Sequence, residues 1–437
     1  MTRTIIPLAL LAFPILPGCD LLLDDGKDSG VGTDTAAPGD DDDTTVPGDD
    51  DDDTTGAQRG WTLVPLLDDT SGDFAIWHSG SDLVTGIHFT DLQHGVVVTT
   101  GANQTFADGG AVFSAREREL TGILVNGSTA AQCMLGVVDF TGVVATADGY
   151  VAMAEACDWI HSDDGGASFR VDPMGVGDPF GIEDLLAYRE TGSGTVLVRD
   201  TGVVSRTGGA PGANAIWDDV YAPQGVPPTP NPVPPDLCQV GPQSNNVPSV
   251  ASAVYVADDG QFLAYGSAEP DGPAICVSRD GGTTVRPHRL RGISEDVTWA
   301  APTGVLFPTP DIGIAWYATN IYPDATYLRR SVDAGETWDE VPLPSDLVGT
   351  AIELREAFFA PGGQVGFLVG YDYDHGISLL LKTDDAGASW RRSGGDLAQI
   401  VSGAGGGKLW TGFALDERHI WVGGEWGVLA ASDAGGE

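Results

Sequence analysis

The chain has 437 residues, with 63 Asp and Glu against 21 Lys and Arg, a formal net charge of −42. That balance disfavours nucleic acid, whose phosphates need clustered cations, and docking on anionic lipid through a basic patch. A hydrophobic content of 42% with 11 Trp excludes a wholly disordered chain, and 61 Gly with 28 Pro predict many turns and few long helices.

Residues 1–19 read as an export signal: Arg3 supplies the positive start, Ile5 to Leu16 an apolar core, and Leu16-Pro17-Gly18-Cys19 the end. A small residue directly before a cysteine resembles the bacterial lipobox, which implies acylation of Cys19 and anchoring of the mature chain in a bilayer. No later stretch reaches about 18 apolar residues, so the body is not read as membrane-spanning helices.

Residues 20–60 follow as a low-complexity tether in which APGDDDDTT (37–45) is nearly repeated as VPGDDDDDTT (46–55). Its 14 Asp face only Lys27 and Arg59, so it repels itself into extension and cannot bury a core. As a coil it spans on the order of 35 Å, and fully stretched roughly 140 Å. No EF-hand spacing occurs in it, and it reads as a spacer rather than a cation store.

Beyond residue 60 one short pattern recurs: Ser/Thr, any, Asp, any, Gly, any, Ser/Thr, aromatic. It appears as Ser162-x-Asp164-x-Gly166-x-x-Phe169, Ser331-x-Asp333-x-Gly335-x-x-Trp338 and Thr383-x-Asp385-x-Gly387-x-x-Trp390. Ser278-x-Asp280-x-Gly282 ends on Val285 instead of an aromatic, SRTGGA (205–210) carries Thr207 on the Asp position, and ASDAGGE (431–437) begins a copy with Asp433 and Gly435. An Asp that accepts backbone N–H groups, followed by Gly free to take φ > 0, predicts a tight turn leading into a strand. Upstream of the boxes, stretches such as 304–320, 357–371 and 413–427 each offer an aromatic, a turn and a second apolar strand. About four short strands per repeat of roughly 50 residues is the size of a propeller blade.

These copies resemble the Asp-box, or BNR, repeat over residues 61–437. With an eroded copy near Phe113–Arg116, and one blade carrying a Pro-rich insertion over 223–248, the count is seven. The expected fold is all-β, a seven-bladed β-propeller. The last copy stops before its aromatic strand, and Trp61-Thr62-Leu63-Val64-Pro65-Leu66 matches Trp338-Asp339-Glu340-Val341-Pro342-Leu343. Trp61 and Val64 are therefore expected to complete the last blade and close the ring, removing open sheet edges.

Four cysteines remain after Cys19, namely Cys133, Cys157, Cys238 and Cys276, and an even count in an exported chain favours disulfides. Three pairings are open; 133–157 with 238–276 is favoured because each would staple a single repeat. No Cys-x-x-Cys, Cys-His cluster or His-Glu-x-x-His exists, so neither metal nor other cofactor is expected. The run Gly405–Gly407 before Lys408-Leu409 lacks the Lys-Ser/Thr of a phosphate cradle, and neither Ser402-Gly403 nor His78-Ser79-Gly80 forms a nucleophile elbow.

Asp-box propellers include sialidases and other glycoside hydrolases, which need paired carboxyl groups. The sialidase Arg-Ile-Pro segment is absent, and Val285-Arg286-Pro287 lies inside a box. The phrase His419-Ile420-Trp421-Val422-Gly423-Gly424-Glu425-Trp426-Gly427 is similar to the photosystem II stability/assembly factor type, whose members are noncatalytic scaffolds. The resemblance implies a lipid-anchored, monomeric binding module for a protein or glycan, outside the cytoplasm in a bacterial envelope. A carbohydrate-active hydrolase is the alternative.

Overall fold

The computed structural model describes residues 60–64, 66–67, 83–100, 112–116, 119–123, 125–126, 140–146, 149–154, 159–172, 185–191, 194–199, 204–207, 218–221, 253–269, 272–290, 302–318 and 326–437. The signal with Cys19, the acidic tether through residue 59, the cysteines Cys133, Cys157 and Cys238, and the insertion 223–248 lie outside the described residues. The described residues are strands and turns, with one α-helix (Leu397–Gly403). None of their helices is long and apolar enough to cross a membrane.

The strands group into seven sheets of four or five strands each. In the sixth, Ile352–Phe359, Gly366–Asp372, Ile377–Thr383 and Arg391–Ser393 pair antiparallel in chain order. Its middle strands read GFLVGYD and ISLLLKT and are buried almost throughout, as expected for strands covered on both faces by neighbouring sheets. The first strands of the seven sheets are Leu83–Phe89, Phe140–Ala145, Leu185–Thr191, Val254–Val256, Gly304–Leu306, Ile352–Phe359 and Leu409–Ala414. Each adjoins the first strand of the next sheet, and Leu409–Ala414 adjoins Leu83–Phe89. Sheets set side by side around their first strands make this an all-β propeller.

The outer strand of the seventh sheet comes from the front of the chain. Trp61–Leu63 pairs antiparallel with Leu429–Ser432 in the register Trp61↔Ser432, Thr62↔Ala431, Leu63↔Ala430, and Val64 N–H donates to Leu429 O at 2.9 Å. In the fifth sheet the strand after Trp338 pairs as Arg330↔Asp339 and Arg329↔Glu340. Trp61 thus takes the place in its sheet that Trp338 takes in the fifth. The Trp61 indole is buried with Phe367 and Leu380 of the sixth sheet, Leu397 and Val401 of the helix, and Leu409 and Ala430 of its own sheet.

Four repeat turns share one hydrogen-bond pattern. In the sixth sheet the Thr383 hydroxyl donates to Asp385 Oδ1 (2.8 Å) and accepts from Gly387 N–H (2.9 Å), while Asp385 accepts the Ser389 N–H (2.8 Å) and hydroxyl (2.6 Å). Ser162 with Asp164, Ser278 with Asp280, and Ser331 with Asp333 repeat it. Burial raises the Asp385 carboxyl, but the hydrogen bonds from Ser389 and Thr383 outweigh it and hold the group below the usual range. At Asp164 the Ser168 hydroxyl and amide bring it down to about 2. Gly387 has φ +79°, and a Cβ there would run into Ile314 of the fifth sheet. The closing aromatics Phe169, Trp338 and Trp390 are buried.

Two eroded copies sit in a different register from the one the sequence suggests. In the last, Ser432 accepts N–H groups from Ala434 (3.1 Å) and Gly436 (3.3 Å), and Gly435 and Gly436 have φ +70° and +78°. Ser432 therefore holds the Ser/Thr position and Ala434 the Asp position, so Asp433 is one residue short of the box aspartate. Likewise Thr195↔Thr207 in the third sheet matches Gly366↔Thr383 in the sixth, which puts Thr207 on the Ser/Thr position. The local composition fits either alignment; the positive-φ pair and the strand pairing choose.

Cys276 is fully buried in the third strand of the fourth sheet and is disulfide-bonded.

Candidate functional site

Five of the first strands carry an irregularity at the same point, between Val84 and Gly86, Phe140 and Gly142, Leu185 and Ala187, Leu354 and Glu356, and Leu409 and Thr411. A bulge leaves one residue unpaired, bends the strand and re-aims side chains. In the sixth and seventh sheets the extra residues are Arg355 and Trp410, and the guanidinium carbon lies 3.6 Å from the centre of the indole ring. At that separation the cation meets the negative face of the ring. Trp316 of the fifth sheet donates its Nε1–H to Arg355 O (3.2 Å), fixing the bulge from the other side.

A polar network surrounds this stack. Glu353 pairs with Arg355, accepts the Tyr373 hydroxyl at 2.7 Å and lies 3.4 Å from Lys408 Nζ. Lys408 Nζ donates to Tyr373 Oη (2.8 Å), and the Lys408 N–H donates to Glu425 Oε2 (3.2 Å). Burial opposes the Lys408 charge, yet Tyr373 and Glu353 hold its pKa above the ordinary lysine value. Tyr371 meets Tyr373 edge to face at 5.1 Å. Tyr373 is 47% exposed and Trp426, next to Glu425, 53% exposed. Strand starts and the turns between second and third strands of two neighbouring sheets thus bring together two cations, two carboxylates and several aromatics.

Glu356 follows the bulge in the sixth sheet, where other sheets have Gly86, Gly142 and Ala187. Small residues suit the position: a Cβ on Gly86 would come within 2.7 Å of the Val143 backbone. The Glu356 carboxyl takes hydrogen bonds from the Thr411 hydroxyl and the Gly412 N–H, but burial outweighs them and pushes it up to about 7. Among the described residues of the seven first strands the carboxylates are Glu190, Glu353 and Glu356.

The sequence-read box residues are elsewhere. Box turns receive contacts from the turn joining first and second strands, as in Ala386 N–H to Gln364 O and Gly435 N–H to Arg418 O, at the opposite end of the strands from Tyr373. Their aspartates tie turns. Lys408, read from sequence as part of a plain turn, is the residue whose role changes most. The histidines pack or cap: His94, His375 and His419 each close a turn on Asp91, Asp372 and Asp416. His88 lies 4.6 Å from the Phe413 ring, and burial together with Arg189 brings its pKa down to about 4. Among the described residues no group of three His, Cys, Asp or Glu is placed to hold a metal ion.

The class these features define is a propeller with a polar, aromatic-lined end. No protein family and no curated protein matches the chain. Solved structures do. YCF48 from Cyanidioschyzon merolae is similar at 15% identity and TM-score 0.56, over 85% of this chain and 98% of that one. YCF48 bound to D1 peptide is similar at 16% identity and TM-score 0.55, over 85% and 96%. A GH74 xyloglucanase from Xanthomonas campestris is similar at 16% identity and TM-score 0.52, over 86% of this chain and 54% of that one. At such identities the likeness shows the propeller fold alone.

Proposed function

We propose that the chain is a noncatalytic binding propeller, seven Asp-box blades in a ring latched by Trp61–Leu63, which holds a protein or glycan at the end carrying Glu353, Tyr373 and Lys408. The observation that carries this reading is the exposed aromatic and cationic cluster at the junction of the sixth and seventh sheets. Aromatic and Arg side chains in a partly desolvated cluster supply most of the affinity of binding sites. One similar structure, YCF48 bound to D1 peptide, carries a peptide on the same fold. The expected result is that Tyr373→Ala with Lys408→Ala abolishes ligand capture by the immobilised protein while a chromogenic glycoside panel shows no turnover. Turnover that disappears in Glu356→Gln would instead establish the hydrolase, the reading favoured by a carboxyl held up to about 7 on the same strand as a second carboxylate, Glu353.

Export and anchoring belong to the same proposal. Cys19 carries the acyl chains, the 20–60 tether holds the propeller away from the bilayer of the bacterial envelope, and the disulfides are 133–157 and 238–276. The support is the Leu16-Pro17-Gly18-Cys19 end of an apolar core and the buried, bonded Cys276. Cys19→Ala is expected to move the protein from the membrane to the soluble fraction; unchanged fractionation would remove the anchor.

A further inference from the structure

Three residues other than glycine have positive φ among the described residues: Ala334, Ala386 and Trp426. The two alanines stand in repeat turns, where the hydrogen bonds to the box Ser/Thr and Asp hold the backbone in that form. Trp426 stands at the first central position of a type I′ hairpin turn, followed by Gly427 at φ 63° and closed by Val428 N–H on Glu425 O. It sits at φ 62°, ψ 30°, in the short turn Glu425–Gly427 that links the second and third strands of the seventh sheet. The left-handed region is unfavourable for a residue with a Cβ, and Trp426 is 53% exposed. The turn imposes the positive φ, but it favours Asn or Gly at this position, and the Trp placed there gains little burial in return.

The turn that presents the indole is fixed. Glu425 N–H donates to Lys408 O (3.0 Å), Glu425 Oε2 accepts Lys408 N–H (3.2 Å), and Val428 N–H donates to Glu425 O (3.3 Å). Lys408 in turn reaches Tyr373, the other exposed aromatic of this end, and through it Glu353. An aromatic anchor for a protein pocket is normally ringed by apolar contacts that exclude water. Here the exposed rings are ringed by a carboxylate, an ammonium and a phenol. That combination suits a ligand with an apolar C–H face and a rim of hydroxyls. The two cations, Lys408 and Arg355, are matched by Glu353 and Glu425, so the site offers no excess charge to recruit a polyanion.

Resting on the reading that this end is the binding face, we infer that Trp426 and Tyr373 form a stacking shelf for a neutral glycan. A pyranose ring lies on the indole, and its hydroxyls exchange hydrogen bonds with Glu353, Tyr373 and Lys408. Affinity electrophoresis of the full chain in detergent, through gels holding a soluble β-glucan or galactomannan, tests it against a polygalacturonate control. Retardation is expected with a neutral polymer and not with the polyanion. Trp426→Gly, which relieves the left-handed strain, is expected to weaken binding about tenfold or more while its melting temperature stays level or rises. Trp426→Phe keeps an aromatic face and is expected to retain most of the affinity. Absence of retardation by every neutral polymer, or equal retardation of the wild type and Trp426→Gly, would overturn the glycan assignment. Should a protein ligand then be captured by the wild type and lost in Tyr373→Ala, the binding face stands without the glycan; loss of both readouts removes the face as well.

Discussion

Replacing Trp61 with alanine is expected to cost about 3–5 kcal/mol of stability, as for the truncation of a large buried aromatic. Trp61 is 5% exposed and belongs to one buried apolar cluster with residues of the sixth sheet, the helix Leu397–Gly403 and its own sheet. Its Nε1 has no hydrogen-bond partner, so the loss is of packing, and Trp61→Phe should cost much less. The position matters beyond its area. The strand 61–63 covers the open edge of Leu429–Ser432, and the Trp61 N–H also donates to Asp396 Oδ1 (3.2 Å). Deleting residues 61–66 removes that ladder as well and is expected to abolish a single cooperative melting transition, because the seventh sheet then ends on an unpaired strand. Deleting residues 21–58 is expected to leave the transition unchanged. Chemical denaturation of the three variants checks this, and equal midpoints for both deletions would refute a latching role.

The blade plan is legible in the residues because an Asp turn imposes a strict spacing. A hydroxyl at one position, a carboxylate two further on and a positive φ four further on satisfy one another's hydrogen bonds only at those offsets, so the pattern survives where little else does. Trp61 was legible for the same reason, since WTLVPL and WDEVPL keep the inward aromatic and the alternation that follows. The degenerate ends were not. SDAGG fits two registers by composition, and the choice of Ser432 over Ala431 shows only in the structure, in the N–H bonds to the Ser432 hydroxyl and the φ values of Gly435 and Gly436. The candidate site was less legible still. Glu353, Tyr373, Lys408 and Glu425 come from separate strands and turns and meet because two sheets adjoin. The bulge that adds Arg355 leaves a faint mark in IELREAFF, where two polar residues in a row, Arg355 and Glu356, break the alternation. The nearest signals were the scarcity of Lys in an acidic chain and two glutamates in an otherwise apolar strand.

Those two glutamates have opposite fates, and the second sets how stability should respond to pH. Glu353 is surrounded by donors, whereas Glu356 is half-buried, with two hydrogen bonds and no cation to pair with. Burial raises its pKa from 4.5 to about 7 in the folded chain. Below the unfolded value both states carry the proton, and the contribution is neutral. As pH climbs past it, the unfolded chain ionises and the folded chain does not, so the proton-bound folded state loses ground until the folded carboxyl also ionises near neutrality. At 1.36 kcal/mol per pH unit, the full swing is roughly 3 kcal/mol, with the loss complete above about pH 7. The repeat-turn aspartates act with the other sign, their pKa values being depressed, and their contribution disappears only in acid. His88, brought down to about 4, acts against Glu356 over the same range, since the unfolded chain holds its proton up to about pH 6.5 and the folded chain does not. The Glu356 effect is therefore read by comparison with a variant. Glu356→Gln keeps an acceptor for Thr411 and Gly412 without the ionisation. Relative to the wild type, its denaturation midpoint is expected to gain steadily from pH 5 to pH 8, overtaking it at the alkaline end. Parallel pH profiles for the two proteins would show that Glu356 ionises freely in the folded ring, and would withdraw it as the acid of any hydrolytic reading.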